Sequence, residues 1–362
     1  MELFQKILKT AVEGGSSDVH LKIGTPVVFR INRELVAVDA PFPTSEWMNK
    51  IVEAITPAHL KKRLDEEREI DFSYFVPDIG RFRTNLYQQR SQWCLSMRYV
   101  KTRVPSVEEL GLLPQIMKLA ESPRGIVLVA GATGCGKSTT LAAMIEHINN
   151  NFKKNIITLE DPVEYAFEDN QSVIEQREIG LDTLSYHHAL KHVLRQDPDI
   201  IMIGEMRDDV SFTAAMSAAD TGHLVLSTLH TTTAALSVTR ILDFFKAEER
   251  EQIRRQIAGT LRGVVCQRMA TTVENKLTPA LEIMLNTPLV KKLIEENRLD
   301  KLSAAIETGT DDGMISFNQS LFNLVKEGRV TEKEALSKAT NPQALEMNFK
   351  GIFLDEGRRI IS

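Results

Sequence analysis

Hydrophobic positions recur with two different periods along this chain, and the change between them marks its elements. Over residues 1–13, Leu3, Phe4, Ile7, Leu8 and Val12 share one helical face, and Gly14-Gly15 ends the helix. From Ser17 the period becomes two, with Val19, Leu21 and Ile23, then Val27, Phe29 and Ile31, which predicts strands. A helical stretch over 45–67, interrupted at Pro57, follows, and alternation returns at 70–75, 82–88 and 93–99. Residues 1–100 thus read as a small α/β domain. Residues 101–115 contain Pro105, Gly111 and Pro114 without a strand period, and read as a linker with one helical turn.

Beyond the linker the pattern changes character. Continuous apolar runs at 126–130, 156–159, 200–203 and 224–227 alternate with helical patterns at 137–149, 185–195 and 209–220. Strands without a polar face, separated by helices, predict a parallel sheet covered on both sides. The expected core spans 116–270. From about 234 the pattern is mostly helical, at 247–258, 288–297, 316–327 and 331–339, with one strand expected at 278–284. Residues 271–362 read as a mostly helical C-terminal region.

Composition narrows the class. The 362 residues are 43% hydrophobic and 26% charged, ordinary for a globular chain and unlike a disordered or collagenous one. Forty-four Lys and Arg against 49 Asp and Glu give a net charge of −5, which does not favour nucleic acid or an anionic membrane as the main partner. Three scattered cysteines, Cys94, Cys135 and Cys266, predict neither a disulfide framework nor a clustered zinc site, and suit a reducing compartment. No run approaches the ~18 apolar residues of a membrane helix. The first residues, MELFQKILKTAVEGG, carry charges within their apolar pattern rather than a signal-peptide core. The expectation is a cytoplasmic protein whose membrane contact is only peripheral.

Four segments carry chemistry. GATGCGKS, residues 131–138, matches G-x-x-x-x-G-K-[ST] between an apolar strand and a helical pattern. Such a loop turns backbone N–H groups onto phosphate oxygens and adds the positive end of the following helix. The candidate cradle is Gly131, Thr133, Gly134, Cys135, Gly136, Lys137, Ser138 and Thr139, with Lys137 for the β- and γ-phosphates and Ser138 for Mg²⁺. ITLEDPVEY, residues 157–165, ends a strand before Pro162, so Glu160, Asp161 and Glu164 are expected on a turn past its carboxyl end, where open parallel sheets bind ligands. DIIMIGEMRD, residues 199–208, places Glu205 at the same edge, with Glu where many phosphate-loop enzymes have Asp. In TGHLVLSTLHT, residues 221–231, a strand separates His223 and His230 by roughly 23 Å on opposite faces. That spacing excludes a shared metal and leaves His230 at the carboxyl edge as a candidate phosphate sensor. Candidate Mg²⁺ ligands are Ser138, Glu160 and Glu205.

Together GATGCGKSTT, ITLEDPVEY, LRQDPDIIMIGEMRD and TGHLVLSTLHTTTA resemble the Walker A, Asp box, Walker B and His box of the type II/IV secretion ATPase superfamily. SSDVHLK and GRFRTNLYQQR resemble two N-terminal segments of that family. The chain shows neither the extra N-terminal domain nor the four-cysteine module of many members, which points to the branch that drives twitching motility and pilus retraction. The resemblance implies a small PAS-like α/β domain before a RecA-like P-loop core. It also implies a homo-hexameric ring with ATP bound between domains, acting on an inner-membrane pilus platform protein beside other pilus motor ATPases. By the same resemblance Arg81 and Arg83 reach phosphates as arginine fingers, with Arg98 as a secondary candidate. Glu164 would activate water and Glu205 would support Mg²⁺ or the water; which of the two is the base stays open.

Three departures stand out. Ala132 and Cys135 replace the usual Pro and Ser of the loop, and a cysteine beside a helix N-terminus can be activated, so oxidation of Cys135 is one expectation and a tolerated small residue the other. PLVKKLIEE, residues 288–296, and the tail from Asn341 differ from the principal retraction motors. The alternatives to a retraction motor are an accessory paralogue, an assembly or secretion ATPase, a non-catalytic nucleotide-binding ring subunit, and a nucleic-acid translocase, the last disfavoured by the acidic balance.

Overall fold

The computed structural model describes residues 1–31 and 34–352. The end of the helical region read over 271–362 therefore lies partly outside the described residues. The chain divides into two compact units: Met1–Arg103 together with Pro162–Ala166, and Val104–Asp161 together with the chain from Phe167 onward.

In the first unit, helices α1 (Glu2–Glu13), α2 (Ser45–Ile55) and α3 (Lys61–Glu67) accompany six strands. These are β1 (Asp18–Lys22), β2 (Val28–Ile31), β3 (Glu34–Ala37), β4 (Glu69–Val76), β5 (Gly80–Gln89) and β6 (Gln92–Tyr99), in the order β3-β2-β1-β6-β5-β4. The pairings are antiparallel. The expected helix 45–67 breaks at Pro57, after which a short 3-10 turn leads into α3. Thr44 caps α2 by accepting the Trp47 N–H. Alternation sorts the sheet into two faces. Phe29, Val19, Met97, Thr84 and Phe72 form one cross-strand row and are buried. Their sequence neighbours Arg30, Asp18, Arg98, Arg83 and Ser73 form the matching row on the other face. Strand β3 escaped the sequence reading because all four of its residues are exposed.

The second unit begins with α4 (Val107–Leu110) and α5 (Pro114–Ala120). It continues β7 (Gly125–Gly131), α6 (Lys137–Asn151), β8 (Asn155–Glu160), β9 (Val173–Glu178), α7 (Tyr186–Val193), β10 (Ile200–Ile203), α8 (Asp209–Asp220) and β11 (Leu224–Leu229). Then come α9 (Ala234–Asp243), α10 (Arg250–Thr260), β12 (Leu261–Thr271), β13 (Leu277–Leu285), α11 (Pro288–Glu295), α12 (Leu302–Thr308), α13 (Phe317–Lys326), α14 (Glu332–Lys338) and α15 (Pro342–Phe349). The sheet order is β13-β12-β7-β11-β10-β8-β9, parallel except for the antiparallel β12–β13 pair. Two apolar clusters fill its faces. Val127, Val129, Met144, Ile145 and Val265 lie in one, and Leu128, Ile157, Phe212, Val264 and Phe317 in the other.

Two strands correct the sequence reading. Strand β12 lies where a mostly helical pattern was expected. It follows α10 directly and is buried on both faces over Gly263–Gln267, so no period of two distinguishes it from helix. Strand β9 is a polar edge strand with only its last residue buried, and shows no apolar run.

Candidate active site

The phosphate loop joins β7 to α6. All seven residues of β7 are buried, which fixes where the loop starts. Gly131 has φ +148°, and a Cβ there would run into Cys135 Sγ and the Gln267 carbonyl. Gly134 and Gly136 have φ +79° and +89°, a region that L side chains rarely adopt. Glycine is required at these positions by backbone geometry and close approach. Lys137 opens α6, is 8% exposed, and its Nζ donates to the carbonyls of Gly131 (2.9 Å) and Ala132 (3.2 Å). The ammonium is thereby held inside the loop. Ser138 is exposed beside it. Cys135 is buried, and burial pushes its thiol up, with Lys137 opposing only in part. Desolvation therefore works against activation of this thiol by the nearby positive charge.

Parallel pairing brings the carboxyl ends of β7, β8, β10 and β11 to one edge, with Ala130 beside Leu229 and Ile203 beside Leu159. The sequence-derived residues Glu160, Glu205 and His230 all stand there. Glu160, the last residue of β8, is buried, and its Oε1 accepts from Thr158 Oγ1 (2.6 Å) and Gln176 Nε2 (3.1 Å). Glu205 follows β10. Its Oε2 meets Arg207 Nη2 at 2.8 Å and its Oε1 meets His230 Nε2 at 3.2 Å. The chain around it is tied across the sheet, since Thr228 Oγ1 donates to the Gly204 carbonyl and the Met206 N–H donates to the Thr228 carbonyl. His223, at the other end of β11, bonds Ala218 O and Thr221 Oγ1 through Nδ1, a local structural arrangement.

Sequence reasoning missed two residues at this edge. Arg207 lay within the quoted segment DIIMIGEMRD, and only the geometry shows that it pairs with Glu205. Tyr186 begins α7, and its hydroxyl reaches the backbone at Gly204 so closely that a Cβ there would come within 3.0 Å. Burial pushes the Tyr186 phenol up, reinforced by Asp161, Glu160 and Glu205 and opposed by Arg207. No spacing in the sequence signals it.

The turn expected to carry Glu160, Asp161 and Glu164 is divided between the two units. Asp161 stays with the core, and Pro162–Ala166, which includes Glu164, belongs to the first unit. There Tyr165 forms a parallel bridge with Lys101, and the Ala166 N–H donates to the Lys101 carbonyl. On the polar face of the first unit's sheet, Arg81 Nη1 donates to Ser73 Oγ (3.2 Å) and Arg83 is exposed. Phe82 between them is fully buried. Arg98, the secondary candidate, is pinned by Asp18 at 2.8 Å, and Arg30 lies 3.8 Å from the same carboxylate.

A cleft of about 450 Å³ adjoins the phosphate loop, lined by Thr133 and Gly134 on one side and by Gln267, Arg268, Met269 and Ala339 on the other. Its far wall comes from the end of α14 and from β12, the strand that the sequence pattern concealed.

A glycine loop closing on a buried lysine, at the carboxyl edge of a RecA-like sheet that also gathers two glutamates and a histidine, defines a P-loop ATPase. The chain belongs to the type II/IV secretion system protein family, whose profile matches residues 1–336. It is 37% identical to the type IV pilus retraction ATPase PilT of Pseudomonas aeruginosa over 338 residues, covering 93% of this chain and 98% of that protein. Identity to the type IV pilus ATPase PilU of the same organism is 36%, over 96% of this chain and 91% of the relative. Among solved structures, the pilus retraction motor PilT with bound ADP superposes with a TM-score of 0.88 at 37% identity, covering 94% of this chain and 98% of that one.

Proposed function

We propose that this chain is the ATP-hydrolysing subunit of a homo-hexameric motor that retracts type IV pili. The observation that carries this reading is that the carboxyl edge of one parallel sheet bears both the glycine loop with Lys137 and the Glu205–His230 pair. The similarity to retraction motors along nearly the whole chain supports the choice of retraction among the family's activities.

The chemistry follows from the side chains. N–H groups of the loop and the first turn of α6 would surround the triphosphate. Lys137 Nζ would leave the Gly131 and Ala132 carbonyls for β- and γ-phosphate oxygens, exchanging neutral acceptors for charged ones. The cleft beside the loop would take the nucleoside, with Met269 and Ala339 offering apolar surface to the base. The hydroxyl of Ser138 and the carboxylates of Glu205 and Glu160 are hard oxygen donors of the kind Mg²⁺ takes. Bound there, the ion would neutralise charge on the β- and γ-oxygens. Arg207 Nη2 holds Glu205 Oε2 at 2.8 Å, and His230, sharing that carboxylate, would read the γ-phosphate. Glu164, or Glu205 in its place, would take the proton from the attacking water. Arg81 and Arg83 would act on the nucleotide of an adjoining subunit. A cytoplasmic position at the pilus base, with a platform protein of the inner membrane as the load, completes the reading.

Two measurements test it. The purified chain should hydrolyse ATP in a Mg²⁺-dependent reaction that Lys137→Ala abolishes while the fold is retained. Deletion of the gene should leave cells with abundant surface pili and no twitching. Loss of surface pili would instead indicate an assembly motor, and absence of turnover a non-catalytic ring subunit.

A further inference from the structure

Strand β12 lies between the phosphate loop and the C-terminal helices, and two adjacent residues on it reach in opposite directions. Gln267 pairs in register with Gly131, and its Nε2 donates to Thr140 Oγ1 on α6 at 2.8 Å. Arg268 points to the other face, as alternation along a strand requires. Its Nη2 donates to the Thr232 carbonyl (3.3 Å), two residues past His230, and its Nη1 donates to the Lys338 carbonyl (2.7 Å) at the end of α14. The guanidinium stacks on the Phe317 ring, 3.8 Å from its centroid. Cation–π stacking of this kind fixes the plane of the guanidinium.

The segment after His230 is held at a further point by β13 and braced by its own following helix. Glu282, opposite Cys266 on β13, accepts the Ala234 N–H at 2.8 Å and so holds the start of α9. Thr231 Oγ1 bonds Ser237 Oγ at 2.6 Å within this buried layer. The His230 segment is therefore set from one side by Glu205 and from the other by β12 and β13. Arg268 is the member of that second set that also lines the cleft beside the phosphate loop.

We propose that Arg268 is a positioning residue for the hydrolytic step: it holds the segment carrying His230 in register with the phosphate loop, and it does so through the Thr232 carbonyl rather than by binding the nucleotide. Each terminal nitrogen spends one of its two N–H donors on a protein carbonyl, which anchors the guanidinium between Thr232 and Lys338. The inference rests on the nucleotide-hydrolysis reading above and adds a residue to it. It also gives the departure of β12 from the sequence pattern a functional meaning: one strand carries Gln267 to the phosphate-loop helix and Arg268 to the histidine segment.

The test is a double-mutant cycle on the full chain, with steady-state ATP turnover and ADP affinity as readouts. Arg268→Met keeps bulk over Phe317 and removes both donated bonds. It should lower kcat about tenfold, with ADP affinity changed less than about threefold. Combined with His230→Ala it should lower kcat no further than His230→Ala alone, because both changes disable one element. Arg268→Lys keeps the charge facing Glu282 and one donor, and should recover part of the loss. An additive double mutant, or a loss confined to ADP affinity, overturns the positioning role; the latter would make Arg268 a ligand contact. If Arg268→Met fails to fold, the cycle is run with Arg268→Lys, where additivity again rejects the proposal. Full turnover in His230→Ala alone would instead remove the histidine from the mechanism and the inference with it, while leaving the phosphate-loop reading intact.

Discussion

His230 Nε2 lies 3.2 Å from Glu205 Oε1, although the two residues leave the sheet on different strands, β11 and β10. The same carboxylate is bound on its other oxygen by Arg207. Glu205 is thus oriented by two cationic or proton-bearing partners, and replacing either should disturb it. His230→Ala should slow hydrolysis by on the order of 10²-fold, the scale seen when one preorganised donor is removed from a reacting centre. Phosphate-release kinetics check this, with ADP affinity as the control for folding.

Glu164 belongs to the first unit while Glu205 belongs to the core. The two glutamates can therefore be separated experimentally. Glu164→Gln should still bind ATP and turn over about tenfold or more slowly, within the range for loss of a general base. An unchanged rate would transfer the base role to Glu205.

Arg81 and Arg83 share the sheet face opposite the buried Phe82, and neither belongs to the core that holds the phosphate loop. If they act on an adjoining subunit, Arg81→Ala should lower hydrolysis only in assembled rings, by up to 10³-fold or more, on the scale of other arginine fingers. Comparison of ring and monomer fractions from size-exclusion chromatography decides it. An equal loss in a verified monomer would reject the trans assignment.

Glu282 is buried behind the His230 segment, and burial raises its carboxyl above the ordinary range, with the Ala234 N–H and Arg268 opposing. A carboxyl with a higher pKa in the folded than in the unfolded chain carries no penalty below its unfolded value. The penalty grows as pH rises through the folded value. Glu282→Gln keeps an acceptor for Ala234 and removes the buried charge. Its unfolding midpoint should therefore gain on that of the native chain as pH rises above the ordinary carboxyl range. A difference that stays constant as pH rises would show that the carboxyl does not titrate differently on folding.

The parts of this protein legible in its residue order are those written in local chemistry. The glycines at 131, 134 and 136 are demanded by backbone angles and close contacts at the loop itself. The runs ending at Glu160, Ile203 and Leu229 are continuous because both faces of those strands are covered. The helical stretches that begin at 45 and 185 showed through their apolar period, and the structure adds side-chain caps at Thr44 and Ser185. Each of these signals depends on neighbours in sequence. Strand β12 did not, since a run buried on both faces beside a helix carries no period of its own. The same holds for the approach of Tyr186 to Gly204, the transfer of Glu164 to the first unit, and the grip of Arg268 on Thr232. Those are relationships between distant segments, set by which surfaces bury one another, and packing decides them only once the whole chain has folded.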